Sequence, residues 1–164
     1  MKLESLKDLY REQLKDLYSA ETQLLDALPK MAEAASAPDL KRAFSEHLRQ
    51  TQEHVRRLER VFDELGERPQ GHTCEGMKGL IREGEEMMAM KGDPAVLDAG
   101  LIAAAQRVEH YEIAGYGTVR TYAELLGHDG HMTLLERTLD EEEQTDELLT
   151  RLAESHVNEE AFSR

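Results

Sequence analysis

Two glutamates interrupt a long helical pattern in the second half of the chain. Between Leu101 and Leu126 the apolar residues recur at alternating steps of four and three, which places them on one face of a helix. Glu112 occupies the middle of that face, and Glu109 lies three residues earlier on its flank. A carboxylate on an apolar face costs free energy unless a positive group meets it. Glu112 is therefore a candidate metal ligand, and Glu109 is a ligand, a neighbour of a ligand or a surface residue.

Three further helical patterns bring polar groups to comparable positions. Glu21 stands in the middle of the apolar face of the first pattern, and Glu142 and Asp146 take successive positions in the last one. The second pattern offers His54 beside its apolar face, with Gln50 one turn earlier. A helix rises about 1.5 Å per residue, so counting from the turns that join the helices places all these positions within about one helical turn of a common level.

Metal binding explains these acidic residues at a common level better than ordinary ion pairs do. Neither Lys nor Arg occupies the apolar faces of the four patterns, so a buried salt bridge has no cation. Two divalent ions would neutralise four clustered carboxylates, those of Glu21, Glu112, Glu142 and Asp146. Oxygen ligands with an imidazole suit iron or manganese better than structural zinc, which prefers Cys and His. The alternative is a cluster that holds protons, with raised pKa values, and binds no metal.

The other histidines and the methionines are predicted to lie outside this site. His47, His110, His128 and His131 are expected at the surface or in turns. The methionines are expected to fill the core, because the flexible thioether side chain suits irregular gaps.

Four long helices and one shorter helix are predicted to position these residues. We expect long helices over about residues 3–35, 38–65, 94–126 and 131–156, and a crossover over 66–93 with a shorter helix from about Cys74 to Lys91. Short links enforce antiparallel helix pairs, and the long crossover joins the two pairs. The predicted fold is all-α, a four-helix bundle of two antiparallel helical hairpins in one domain of residues 1–164.

Composition narrows the classes of partner. Charged residues make up 33% of the 164 residues, and the net charge is -14. A surface this acidic argues against nucleic acid or an anionic membrane as a partner and fits a protein that attracts cations. The single cysteine cannot form an internal disulfide, and no apolar run approaches the length of a membrane span. We therefore expect a cytoplasmic protein.

The segments that carry the candidate ligands resemble those of the YciE/YciF family of ferritin-like bacterial stress proteins. The similar segments are LYSAE at 17–21, AAAQRVEHYEIA at 103–114, and TLDEEE at 138–143 with Thr145 and Asp146. The resemblance implies a ferritin-like bundle, a homodimer and a dinuclear metal centre. The wider ferritin-like superfamily usually carries Glu-x-x-His on its second and fourth helices, and this chain has that pattern on neither. Gln50 and Asp146 are the departures, and they weaken the expectation of full ferroxidase activity.

The sequence is compatible with three functions. The first is an oxidoreductase in which two iron or manganese ions handle oxygen or peroxide, as a ferroxidase, peroxidase or catalase does. The second is a stress protein that binds metal without turnover and sequesters iron. The third is a structural or interaction bundle whose buried carboxylates are protonated.

Overall fold

The chain folds into helices joined by short links. The computed structural model describes residues 3–164, and these residues contain no β-strand. The elements are α1 (Leu6–Ala34), α2 (Pro38–Leu65), α3 (Glu75–Ala89), α4 (Pro94–Leu125), α5 (Asp129–Leu152), a π-helical segment (Ala153–Val157) and α6 (Asn158–Phe162). The predicted all-α fold is confirmed, and α3 lies in the predicted crossover. The last long helix differs from expectation, because α5 ends at Leu152 and the chain continues through the π-helical segment.

Local sequence signals define the ends of the helices. The Ser5 hydroxyl accepts a hydrogen bond from the backbone N–H of Asp8 at the start of α1. The helix α2 starts with Pro38, whose fixed φ suits a first helical position. Gly66 follows the last helical residue, Leu65, with a φ of 68° that favours glycine.

A buried aspartate connects the α1–α2 turn to α4. Asp98 is 2% exposed. Its carboxylate accepts hydrogen bonds from the backbone N–H groups of Ser36, at 2.8 Å, and Ala37, at 2.7 Å. Charge-assisted bonds of this kind are stronger than neutral ones. They fix the position of the α1–α2 hairpin relative to α4.

Each of the four long helices packs against two of the others. Both α1 and α5 pack against α2 and α4, and α3 lies against α1 and α4. The buried apolar residues form two clusters. On α2, α4 and α5, a polar stretch separates the residues of one cluster from those of the other, and the apolar residues that flank these stretches are Phe44 and Leu58, Val108 and Tyr116, and Leu135 and Leu149. On α1 the change of cluster falls between Leu17 and Ala20, just before Glu21.

Candidate metal centre

Six buried acidic and histidine side chains from four helices meet between the two apolar clusters. We call them the buried cluster: Glu21 of α1, His47 and His54 of α2, Glu109 and Glu112 of α4, and Glu142 of α5. Each is exposed by 2% or less. They form two groups, and within each group one ligand-type atom per residue lies within 4.8 Å of the others. The first group is His47, Glu109, Glu112 and Glu142, and the second is Glu21, His54 and Glu142.

Glu142 belongs to both groups, and its two carboxylate oxygens face different imidazoles. Oε1 lies 2.9 Å from Nδ1 of His54, whereas Oε2 lies 3.6 Å from Nε2 of His47. The two imidazole centroids are 6.3 Å apart. Glu142 therefore presents one carboxylate oxygen to each imidazole.

Eight ligand-type atoms of the buried cluster have no hydrogen-bond partner within the part of the chain that the structure describes. They are Oε2 of Glu21, Nε2 of His47, Nδ1 of His54, Oε2 of Glu109, and both carboxylate oxygens of Glu112 and Glu142. The imidazole nitrogens approach these carboxylates without the alignment that a hydrogen bond requires. Buried polar atoms are almost always satisfied in native proteins. Carboxylate oxygens and imidazole nitrogens are also ligands that iron and manganese accept, so the residues present could hold a metal ion of this kind.

The second nitrogen of each imidazole has an acceptor of its own. Nε2 of His54 lies 2.9 Å from the Glu141 carboxylate, and Nδ1 of His47 lies 3.4 Å from the side-chain oxygen of Gln50. When these nitrogens donate, the lone pairs of Nδ1 of His54 and Nε2 of His47 face the carboxylates of the buried cluster. Metal-binding histidines are commonly oriented in this way by a carboxylate or an amide behind them.

An arginine holds the carboxylate behind His54. Arg57 donates two hydrogen bonds to Glu141, at 2.7 and 2.9 Å, and a third to the Thr138 hydroxyl at 3.0 Å. Partial burial alone would raise the pKa of Glu141, but the hydrogen bonds from His54 and Arg57 lower that pKa to about 2. Glu141 therefore stays anionic and fixes the tautomer and orientation of the imidazole.

Burial and mutual repulsion shift the pKa values inside the buried cluster. Burial raises the pKa of Glu109 to about 7. Burial, and then the charges of Glu142 and Glu21, raise the pKa of Glu112 well above its usual range. Burial and the charge of Glu109 also raise the pKa of Glu142. For His54, burial works in the opposite direction, but the nearby carboxylates, Glu21 foremost, raise its pKa well above the ordinary value. Metal ions would displace the protons that these shifts favour.

A tyrosine fixes one oxygen of Glu21. The hydroxyl of Tyr116, a fully buried residue, donates a hydrogen bond of 2.5 Å to Oε1 of Glu21, and its ring lies beside that of His54. Burial raises the pKa of Tyr116 well above its ordinary value, so the phenol stays neutral and remains a donor. The same Oε1 lies 3.2 Å from Nδ1 of His54, and Oε2 of Glu21 is buried without a hydrogen bond.

The structure brings five of the seven predicted ligands together and leaves two outside both groups. Glu21, His54, Glu109, Glu112 and Glu142 are in the buried cluster. Glu109, which the sequence placed on the flank of the helix, is 1% exposed.

Gln50 and Asp146 lie at the edge of the site. Gln50 accepts a hydrogen bond from Thr145 and faces His47, so it supports an imidazole rather than pointing at the carboxylates. Asp146 is half-buried, and its carboxylate lies 3.2 Å from Nε2 of the exposed His110. The buried line of α5 passes through Thr145 instead of Asp146.

The prediction that His47 lies at the surface is wrong, because His47 is 2% exposed and belongs to the buried cluster. The sequence signal for it is its spacing from His54, since residues seven apart share a helix face. His131 is also buried, at 4% exposure, and its Nδ1 lies 3.2 Å from the Tyr10 hydroxyl. The pairing of Glu141 with Arg57 across helices has no signal in the sequence.

Comparison with known proteins places this arrangement in a family. The chain is 44% identical over 165 residues to protein YciF of Escherichia coli strain K12, with 100% of this chain and 99% of that protein aligned. The crystal structure of that protein, described as the E. coli stress protein YciF, superposes with a TM-score of 0.91 over 95% of this chain and 99% of that one. The predicted resemblance to the YciE/YciF family is thereby confirmed.

Two further solved structures are similar. YcfI of Rhodopseudomonas palustris is 43% identical, with a TM-score of 0.87 over 91% of this chain and 95% of that one. A protein of Xanthomonas campestris pv. campestris shares the fold at 21% identity, with a TM-score of 0.74 over 93% of this chain and 92% of that one. Within residues 3–164, no helix combines the length and apolar character needed to cross a membrane. The model of a domain of unknown function, DUF892, matches residues 5–162, and the chain belongs to the DUF892 family.

Proposed function

We propose that this protein binds two divalent metal ions, iron or manganese, in the core of a single ferritin-like domain, a four-helix bundle of two antiparallel hairpins. The observation that carries the proposal is the set of eight buried, unpartnered ligand atoms in the buried cluster. His47, Glu109 and Glu112 would hold one ion, and Glu21 and His54 would hold the other. Glu142 would contribute one oxygen to each ion, because its oxygens face different imidazoles.

The charges of the buried cluster support two divalent ions. Four carboxylates carry four negative charges, and both imidazoles are neutral when they act as ligands. Two divalent cations balance this set, whereas four unneutralised carboxylates would be very costly in a buried layer. The sequence predicts Asp146 as the fourth buried carboxylate, but in the structure Glu109 takes that place.

Such a centre supports one of two functions. The protein would be an oxidoreductase that reacts with oxygen or peroxide, or a protein that stores iron. The bound ions would supply redox and Lewis-acid chemistry. The chain's own groups orient the site: Glu141 with Arg57 aligns the imidazole of His54, and Tyr116 holds Glu21. The apolar clusters on both sides limit the access of water. YciF carries the description of a stress protein, and we extend a role in the stress response to this chain.

A non-catalytic bundle is the second candidate, and the raised pKa values of Glu109, Glu112 and Glu142 favour it. Protonated carboxyls could replace the ions, and the protein would then be a structural or interaction module. Chelation separates the two candidates. Removal of ions that bind only the native state lowers the melting temperature, whereas a protonated core is indifferent to a chelator.

Metal analysis of freshly purified protein tests the proposal. We expect two iron or manganese ions per chain, a lower melting temperature after verified chelation, and recovery on adding the ion back. Adding hydrogen peroxide and recording oxygen release then separates turnover from storage. Protein without metal, whose melting temperature does not respond to added iron or manganese, would overturn the proposal.

We also propose that the protein is a cytoplasmic homodimer, as its family resemblance implies. Light scattering coupled to size-exclusion chromatography should give twice the 18.6 kDa mass of one chain. A mass equal to that of one chain at micromolar concentration would contradict the dimer.

A further inference from the structure

Thr51 has a buried hydroxyl that no atom in the described part of the chain satisfies. The residue is fully buried on α2. It lies four residues after His47 and three before His54, and these spacings place all three side chains on one face of the helix. Because both imidazoles belong to the buried cluster, Thr51 lies on the face of α2 that contributes to that cluster.

Most of the other helical threonines satisfy their hydroxyls locally. Six of them donate to the carbonyl oxygen four residues earlier: Thr22, Thr118, Thr121, Thr133, Thr138 and Thr145. This bond is the usual one for threonine inside a helix. Thr51 makes no such bond among the described residues. Packing alone does not require a hydroxyl there, since valine has nearly the same shape.

The charge of the proposed metal centre indicates which kind of group the Thr51 hydroxyl could bind. Two divalent ions balance the four buried carboxylates, but two trivalent ions would carry six positive charges against four negative ones. A small anion bound at the centre would reduce that excess. A threonine hydroxyl can donate one hydrogen bond to such an anion without adding a charge of its own.

We infer that Thr51 donates a hydrogen bond to a small exogenous anion, of the size of hydroxide, that binds at the oxidised centre. The inference rests on the proposed function. Thr51 is a positioning residue for this ligand and does not hold the ions. Thr51 shares its face of α2 with the two imidazoles that would hold the ions.

Azide binding to the iron-loaded, oxidised protein tests the inference. The variant Thr51→Val removes the hydroxyl and keeps the shape, and Thr51→Ser keeps the hydroxyl. A matched control is Thr121→Val, an exposed site on α4 whose hydroxyl donates to a backbone carbonyl. We expect two ions per chain in all proteins. The dissociation constant of azide, followed by its charge-transfer absorption, should rise about tenfold in Thr51→Val only, the effect of one hydrogen bond.

The melting temperature of the metal-free proteins provides an independent readout. Thr51→Val should melt no lower than the wild type, because it removes an unsatisfied buried hydroxyl. A clearly lower value would show that the hydroxyl is structural and would overturn the inference.

The outcomes separate the inference from the proposed function. Two ions per chain with equal azide affinity in the wild type and Thr51→Val would overturn the inference and leave the metal centre standing. Loss of an ion in Thr51→Val would also overturn it, because the hydroxyl would then be a ligand. A wild type that binds no metal would overturn the proposed function and the inference together. Thr51→Ala, which also lacks the hydroxyl, replaces the valine variant if the latter does not fold.

Discussion

The metal-free protein should lose stability as the pH rises from 5 to 8. A carboxyl whose pKa is higher in the folded than in the unfolded state stabilises the fold at low pH, and this contribution is lost as the pH rises through the folded-state pKa. The pKa of Glu109 rises from 4.5 to about 7. That displacement corresponds to roughly 3 kcal/mol. The raised pKa values of Glu112, Glu142 and His54 act in the same direction.

Urea denaturation of chelator-treated protein at pH 5, 6.5 and 8 measures this effect. We expect the free energy of unfolding to fall by on the order of 3 kcal/mol across the range, which corresponds to roughly 6–12 °C in melting temperature for a chain of this size. Glu109→Gln is the matched control, because the neutral amide has no proton to lose. Its stability should depend less on pH than that of the wild type.

Metal loading should remove most of this dependence, because the ions replace the protons and their affinity increases as the ligands deprotonate. A free energy of unfolding that stays constant or increases between pH 5 and 8 in the metal-free protein would refute the reasoning. A Glu109→Gln variant whose free energy of unfolding depends on pH as strongly as that of the wild type would also refute it. The buried carboxyl of Glu109 would then contribute nothing to the pH dependence.

Five further substitutions test separate features of the molecule. Glu142→Ala should release both ions, because its oxygens face both imidazoles, whereas Glu21→Ala should release one; equal losses in elemental analysis would contradict a shared ligand. Glu141→Gln should weaken metal binding about 10- to 100-fold in competition with a chelating dye, and unchanged affinity would exclude its orienting role. Gln50→Glu should increase metal retention, because a carboxylate behind the imidazole makes it a better ligand, and equal retention on dialysis would argue against this contact. Asp98→Ala should lower the free energy of unfolding by about 1–3 kcal/mol without loss of metal, because two backbone donors lose their acceptor; a stability equal to the wild type would contradict this.

The helices could be predicted because their signals are local. Periodic apolar residues, a proline at the start and a glycine at the end define α2, whose predicted and observed bounds coincide at residues 38–65. The mid-face glutamates were also visible, since a carboxylate stands out in an apolar pattern. The π-helical segment after α5 carries no comparable signal.

Site residues at the edge of a helix face could not be assigned from the sequence. On α5, two parallel lines of residues fit the apolar periodicity, one through Asp146 and one through Thr145. Successive residues on a helix differ by about 100°, so the rotation of the helix against its neighbours decides which line is buried. The same ambiguity affected His47, which is buried, and Glu109, which the sequence left open between three positions. That rotation depends on tertiary packing and has no local signature.

Anomalous scattering from crystals of freshly purified protein, recorded at the iron and manganese absorption edges, tests the central claim most directly. We predict two peaks per chain of the same element, on opposite sides of the Glu142 carboxylate, one beside His47 and the other beside His54. No peak at either edge after crystallisation with the added metal would contradict the dinuclear centre. A single peak between Asp146 and His110 would place the metal at the helix surface and contradict it equally.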